Sequence, residues 1–522
     1  MQKLPRFLTL FRDLCITDHD NDSGTSLRQL AMETASLLLV VAVAILLRAP
    51  GIGHLLMWDE AMDVCATRSF VARGSDFYSP MFWVHPPVFP LMMAWMNPLA
   101  PGFAERSEWL AVGLNAMSLV VLYLLNRRLF GPFVAWISCA CLAVMPGAIF
   151  FQTWIKRDHA VVFFGLLSLL ALSYDRILVG GVLLGVAFLS KLAAIYFLPC
   201  VFLVVQASAN DRLRWLKPFV VLLFAFAISA WWFARFDVMS GILLSFAVGG
   251  DKSFSGWTGP WTYWPARLTS DLGIPGLVIV CAGALILILH KVALGNASPS
   301  RGRLGIGWKL WPIAVLLPAG LYLALSRGKA PWMIVALYPA LATIEALCIV
   351  ALSTLIANCC RAVAPLSRTS FRLRTVVSVL AVLAMAVLAD HDYASRQKDI
   401  GFGQWWGADA SRQSAETINR LASPHHRLLI TRFAYWGEDD TRMPCPVFAY
   451  YLKNIPVKLE SFRIAPVELI ATVRTNKIDW ALLSPPPASG VTNLLNPLIR
   501  DYGLSPIVLK GSVLFRTTQL WQ

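Results

Sequence analysis

Leu56-Met57-Trp58-Asp59-Glu60-Ala61-Met62-Asp63 opens a polar stretch that runs on to His85-Pro86-Pro87 and around which the chain is organised. Its two adjacent carboxylates, Asp59 and Glu60, stand shortly after the first long apolar run, which puts them near a membrane surface rather than far out in solvent. Asp63, Arg68, Arg73, Asp76 and Tyr78 come next. The surrounding chain has 522 residues, of which 57% are hydrophobic and 14% charged, and its mean hydropathy is +0.61. That is too apolar for a soluble protein to hide inside one core. A polytopic membrane protein is the class that fits, and in such a chain the few polar clusters are informative about function.

Working outward from that loop, apolar runs recur at 35–47, 110–125, 134–150, 160–172, 178–189, 192–205, 219–233, 274–289, 310–325, 332–355 and 376–388. They make about eleven candidate transmembrane helices, several shorter than the ~20 residues a span needs, so these helices must extend into their polar flanks. The runs on either side of Ser190-Lys191 are nearly continuous. With the N-terminus inside, every short inner loop is basic: Arg127 and Arg128; Arg176; Arg212, Arg214 and Lys217; Lys291, Arg301, Arg303 and Lys309; Arg361, Arg368, Arg372 and Arg374. The same bias accounts for the net charge of +15. Nucleic acid is excluded as a partner because no basic stripe with interleaved aromatics exists.

This topology makes 1–391 a transmembrane domain with a large first outer loop at 49–108, and leaves 392–522 outside. The latter region changes character: Leu428-Leu429-Ile430-Thr431, Trp480-Ala481-Leu482-Leu483 and Pro506-Ile507-Val508-Leu509 read as strands, and 410–421, 466–475 and 491–502 as helices. A soluble α/β domain with a small sheet is expected, and about 130 residues suffice for its own core. Pro485-Pro486-Pro487 is a turn or stiff connector. No cleavable signal peptide is expected, since the first apolar run starts late and no Ala-x-Ala site comes after it. The segment 4–16 is either a short amphipathic helix on the inner leaflet or a solvated tail. Most cysteines fall in or beside apolar runs, where they pack; Cys65 and Cys445 share the outer side, where a disulfide is one reading.

Under this topology four polar groups gather at the outer face: Asp59-Glu60; Lys156-Arg157-Asp158-His159; the aromatic segment Trp257-Thr258-Gly259-Pro260-Trp261-Thr262-Tyr263-Trp264 with Arg267; and Arg327-Gly328-Lys329. Carboxylates and cations at one interface suit a substrate with an anionic head group and a lipid tail. A carboxylate can take a proton from an acceptor hydroxyl, while Lys and Arg neutralise a departing phosphate.

The Asp59-Glu60 pair after the first span, Pro86-Pro87 at the far end of the loop, Asp158 after the third span, and Ser326-Arg327-Gly328-Lys329-Ala330-Pro331-Trp332 leading to Tyr338-Pro339-Ala340 resemble the GT-C membrane glycosyltransferases. Within them the chain is most similar to the bacterial branch related to the lipid A aminoarabinose transferase and, more distantly, to the protein O-mannosyltransferases. The resemblance covers residues 30–390, in order, and the soluble outer tail fits that branch's plan.

The resemblance implies an inverting transfer from a polyprenyl-phosphate sugar to a hydroxyl of a lipid, glycan or protein acceptor, at the outer face of a bacterial inner membrane. In it Asp59 matches the first-loop aspartate, base or acceptor-orienting group, with Glu60 its neighbour, and Asp158 matches a second acidic position. Lys329 matches a phosphate contact, with Arg327, Arg267, Lys191 and Tyr263 as further substrate-binding candidates. His85 stands where the aminoarabinose branch has Lys, and a neutral imidazole brings one donor and no charge. Asp59, Asp158 and His159 are the candidate ligands for a divalent metal ion; no other cofactor is implied.

Each residue also has a plainer reading. Asp158 can pair with Arg157 or Lys156 at a helix end, Lys329 and Arg327 can anchor a helix by snorkelling, and the aromatic segment is either an interfacial belt or a platform for sugar and lipid. A transporter of lipid-linked sugars would also have many spans. It should show internal symmetry and ionisable residues near the middle of its helices, whereas these charges cluster at the ends.

Overall fold

The computed structural model describes residues 27–73, 86–207, 214–235, 262–294, 306–325, 331–363, 373, 375–387, 408–432, 446–453, 455–461, 464–483, 491–509 and 512–521. The chain divides into two compact units, one of Met1–Ile52, His85–Phe89 and Glu108–Arg396, the other of Gly53–Val84, Pro90–Ser107 and Gln397–Gln522. The first outer loop, read from the sequence as part of the membrane domain, is therefore shared between the two. His85, Arg327, Lys329, Cys445, the triple proline, and the aromatic segment up to Trp261 lie outside the described residues.

The first unit is helical. Among the described residues, Ala31–Gly51, Phe103–Phe130, Leu216–Ala234 and Met333–Ala357 are long and apolar enough to cross a membrane, and the bent pair Tyr263–Thr269 and Asp271–Leu285 qualifies as one more. Shorter apolar helices span Pro132–Val144, Asp158–Ser173, Ile177–Phe188, Leu192–Val201, Trp308–Leu323 and Thr375–Val387. Each apolar run of the sequence coincides with one of these helices. The protein is thus a multi-pass membrane protein, in which every backbone donor and acceptor in hydrocarbon must be satisfied within the chain.

Two breaks interrupt these helices. The helix Tyr263–Leu294 turns at Gly273, whose φ of 71° and ψ of 163° are open to glycine and strained for other residues, with Pro275 just beyond. The helix Pro132–Val144 stops before Pro146, and its last carbonyls are met by a guanidinium. Arg48, 2% exposed, donates from Nη1 to Ala143 O at 3.0 Å and from Nη2 to Leu142 O at 3.3 Å, and from Nε to Gln152 Oε1 at 2.7 Å. A cation on orphan carbonyls at a helix C-terminus is favourable twice over, by hydrogen bonding and by the dipole. Arg48→Met would strand these acceptors, and the detergent-solubilised chain is expected to lose about 2–5 kcal/mol. An unchanged melting temperature would show that the guanidinium is not what holds this break.

In the second unit β1 (Leu428–Arg432), β2 (Val457–Ser461), β3 (Trp480–Leu483), β4 (Pro506–Leu509) and β5 (Ser512–Arg516) form one sheet in the order β2-β1-β3-β5-β4. β1 runs parallel to β2 and β3, while β5 is antiparallel to β3 and β4. Alternate residues serve opposite faces. Leu429, Ala481, Leu483 and Phe515 pack with the helices Pro466–Asn476 and Val491–Arg500. Leu428, Ile430, Trp480, Leu482 and Leu514 pack with Ala415 and Ile418 of Ala408–Leu421 and with Phe448 of Pro446–Tyr451. Helices on both faces of a mixed sheet make the expected α/β architecture. β2 and β5 are strands that the sequence pattern does not mark.

Candidate functional site

In the first unit, the segment 156–159 is not a solvated turn. Lys156, Arg157, Asp158 and His159 are 4%, 5%, 1% and 0% exposed. Asp158 opens the helix Asp158–Ser173, where unpaired backbone N–H groups and the dipole favour a carboxylate. A tight turn through Asp175, at φ 59°, sends the helix Ile177–Phe188 back alongside it, and this hairpin returns the chain to the level of Asp158. There Lys191 Nζ lies 2.7 Å from Asp158 Oδ2, with the two side chains 26% and 1% exposed. The ion pair foreseen for Asp158 therefore exists, but its partner is Lys191 rather than Arg157 or Lys156. Asp158 Oδ1 is buried and meets no hydrogen-bond partner among the described residues.

A second charged cluster forms at the bent helix. Arg267 grips Asp271 one turn later, Nη2 to Oδ1 at 2.5 Å and Nε to Oδ2 at 3.2 Å. The hydroxyl of Tyr338 donates to Asp271 Oδ2 at 2.9 Å from another helix. The guanidinium stands 5.0 Å over the ring of Phe151, a cation–π contact. Gly147 allows this approach: a Cβ there would lie 2.6 Å from the Tyr338 hydroxyl and 2.7 Å from Asp271 Cβ. Two donors from separate helices thus converge on one buried anion. Tyr263, one turn before Arg267, stacks edge-on against Trp264, with ring centroids 5.0 Å apart.

His159 is taken up by structure. Its Nε2 lies 2.9 Å from Trp154 O, and Asn115 Nδ2 lies 3.2 Å from its Nδ1, so the ring donates at Nε2 and accepts at Nδ1. Among the described residues no group of three or more His, Cys, Asp or Glu is placed to hold a metal ion. With both ring nitrogens of His159 committed, the donor set does not fit the metal ion anticipated from Asp59, Asp158 and His159.

In the second unit, Asp59 and Glu60 lie in the first turn of the helix Trp58–Arg73. They differ in what they can do. Glu60 is 0% exposed; its Oε2 accepts from Met57 N at 2.8 Å, and both its oxygens lie within 3.1 Å of His54 Nε2. An acid three residues into a helix that reaches back to the preceding N–H is half of a capping box. Glu60 therefore secures the start of the helix, while Asp59 is partly exposed. Cys65 on this helix is buried.

Sequence reading missed Asp271, Tyr338 and His54. The i,i+4 spacing of Arg267 and Asp271 was a usable signal; the long-range partner Tyr338 had none beyond its place in the Tyr338-Pro339-Ala340 stretch.

Residues 84–233 match the family model described as dolichyl-phosphate-mannose-protein mannosyltransferase. Among solved structures the fold is similar to ArnT from Cupriavidus metallidurans bound to undecaprenyl phosphate, at 16% identity and a TM-score of 0.55, covering 94% of this chain and 98% of that one. It is similar to the oligosaccharyltransferase AglB from Archaeoglobus fulgidus, in complex with an inhibitory peptide and a dolichol-phosphate, at 11% identity and a TM-score of 0.52, covering 88% and 70%. The arabinofuranosyltransferase AftD from Mycobacteria is a further neighbour at 13% identity and a TM-score of 0.50, covering 92% and 39%. Among curated proteins, none matches the sequence significantly.

Proposed function

We propose that this chain, a polytopic membrane protein with the GT-C glycosyltransferase fold, moves a sugar from a polyprenyl-phosphate carrier to an acceptor hydroxyl with inversion. The observation that carries the reading is the buried guanidinium of Arg267, fixed against Asp271 and over Phe151, because a guanidinium has five N–H donors and Asp271 engages only two of its nitrogens, leaving a pre-oriented cation for a phosphate. The acceptor oxygen forms a bond to the anomeric carbon as the carbon–oxygen bond to phosphate breaks, and the electron pair leaves with the carrier phosphate. Asp59 takes the proton of the acceptor hydroxyl. Arg267 and Lys191 stabilise the charge that grows on the phosphate, while Tyr338 helps hold Asp271, the counter-ion of Arg267; Arg327, Lys329 and His85 are proposed for the same task as Arg267 and Lys191, and Tyr263 for the sugar or lipid. Asp158 orients Lys191.

The basic inner loops support an N-terminus in the cytoplasm of a bacterial inner membrane, with the reaction and the 392–522 domain at the periplasmic face. The family match over 84–233 and the peptide-bound neighbour support a protein as a second acceptor reading. Mass spectrometry of glycolipids, glycans and glycoproteins from cells with and without the chain tests the proposal. A glycoform that disappears with the chain identifies sugar and acceptor, and identical profiles would sink the reading.

Glu345 is the observation that keeps transport of a lipid-linked sugar in view. It sits inside the span Met333–Ala357, 1% exposed, with both carboxylate oxygens buried and without a hydrogen-bond partner among the described residues. The generalisation that charges cluster at helix ends fails here. For a glycosyltransferase, Glu345→Gln, which keeps the shape and removes the charge, is expected to leave turnover within about twofold. A loss beyond about tenfold would favour a transport cycle driven through that carboxylate.

A further inference from the structure

The second unit joins the helix of Asp59 to the α/β sheet through a few specific contacts that the proposed reaction does not use. The helix Pro446–Tyr451, whose Phe448 is buried in one face of the sheet domain, packs against the helix Trp58–Arg73. Its last residue, Tyr451, brings its phenol oxygen close enough to the backbone N–H of Leu56, three residues before Asp59, for that amide to act on the phenol's ionisation. Burial raises the Tyr451 phenol above its ordinary value, against the opposing effect of that amide, so the group stays neutral at physiological pH. Tyr451 is itself anchored to the sheet domain: Asn419 Nδ2 donates to Tyr451 O at 2.8 Å, and Asn419 Oδ1 accepts from Lys453 N at 2.9 Å.

A second contact lies further along the same helix. The guanidinium of Arg68 stands 5.0 Å over the ring of Tyr450 and 5.8 Å over that of Phe103. Its Nε donates to Pro98 O at 3.1 Å. Arg68 thus ties three chain segments together with a planar cation that lysine cannot imitate. Neighbouring tyrosines, Tyr450 and Tyr451, hold the helix at Arg68 and just before its first turn.

We infer that Tyr450 and Tyr451 of the C-terminal α/β region form a clasp on Arg68 and the Leu56 amide that positions the Asp59-bearing helix for acceptor activation. The inference rests on Asp59 being the base of the proposed reaction. Misplacing a reacting carboxylate by a fraction of the reacting distance costs rate without altering ground-state binding of a group held elsewhere. Tyr450 and Tyr451 are positioning residues, since neither is assigned to the sugar or the phosphate.

The test uses the full chain in nanodiscs. Tyr451→Phe removes one hydroxyl, and Arg68→Gln and Arg68→Lys remove or retain charge without the stacked guanidinium. The expected result for Tyr451→Phe and for both Arg68 variants is turnover lowered by about five- to tenfold, the equivalent of one hydrogen bond or cation–π contact. Binding of undecaprenyl phosphate, used as the probe, stays unchanged, and deuterium uptake rises at the amides of 54–68 alone. Parental turnover and exchange in Tyr451→Phe would overturn the clasp, and so would an exchange increase spread over the whole chain, which marks general destabilisation. If Asp59→Asn retains turnover, the base assignment fails, while the local exchange arm still reports on the clasp by itself.

Discussion

Asp59→Asn is expected to reduce sugar transfer by about 10²–10⁴-fold, the range for loss of a positioned general base, with undecaprenyl phosphate binding and thermal stability close to those of the parent. Asn keeps the size of the side chain and can still hydrogen-bond a hydroxyl, but it cannot accept the proton. Glu60, not Asp59, secures the start of the helix through the Met57 amide, so the change leaves that cap in place. Glu60 provides the contrast. Its carboxylate is fully buried on His54 and the Met57 amide, so Glu60→Gln should act through the start of the helix and appear as lost stability before lost chemistry. Retained turnover in Asp59→Asn, measured with the donor that mass spectrometry identifies, would remove Asp59 from the mechanism.

The other large effect is expected at Arg267. Its fork engages Asp271 through two nitrogens and lies over Phe151, so Arg267→Lys keeps a charge but neither the paired geometry nor the stacking. A loss of about 10²–10³-fold in turnover is expected, comparable to removing one stabilising donor from a developing oxyanion. Arg267→Gln confounds two causes, because it also weakens the hold on a carboxylate that is 2% exposed, at a cost of about 3–5 kcal/mol. The double variant Arg267→Gln with Asp271→Asn separates them. It should recover most of the stability and none of the activity; recovery of both would make Arg267 a structural counter-ion only.

Several features were legible because they depend on neighbours in the chain. A span is a sum of local hydropathy, so the apolar runs already mark the helices seen in the fold, even where a run is too short to cross a bilayer by itself. The strands at Leu428, Trp480 and Pro506 are short apolar segments bounded by turn residues. By contrast, β2 and β5 are mixed in polarity, Val-Lys-Leu-Glu-Ser and Ser-Val-Leu-Phe-Arg, and become strands through pairing with β1 and β3.

The charged groups divide in the same way. That Asp158 needs a cation is dictated by its type and place, yet two cations adjacent in sequence were the natural candidates and the partner lies 33 residues away. Nothing local distinguishes Lys191 until the hairpin of Asp158–Ser173 and Ile177–Phe188 brings its ammonium within reach. The roles of Asp59 and Glu60 are likewise inseparable in a sequence that shows two acids side by side. One hundred degrees of helical rotation turns one toward the capping position and leaves the other partly open.

Sequence alone thus determined the membrane class, the helices and the residue types available for chemistry, because hydrophobic transfer adds up residue by residue along the chain. Tertiary structure alone decided which charges meet: Lys191 on Asp158, Tyr338 and Arg267 on Asp271, His54 on Glu60. Ion pairs and hydrogen bonds reach only a few ångströms, and distances that short between remote residues are set by the packing of helices rather than by their order in the chain.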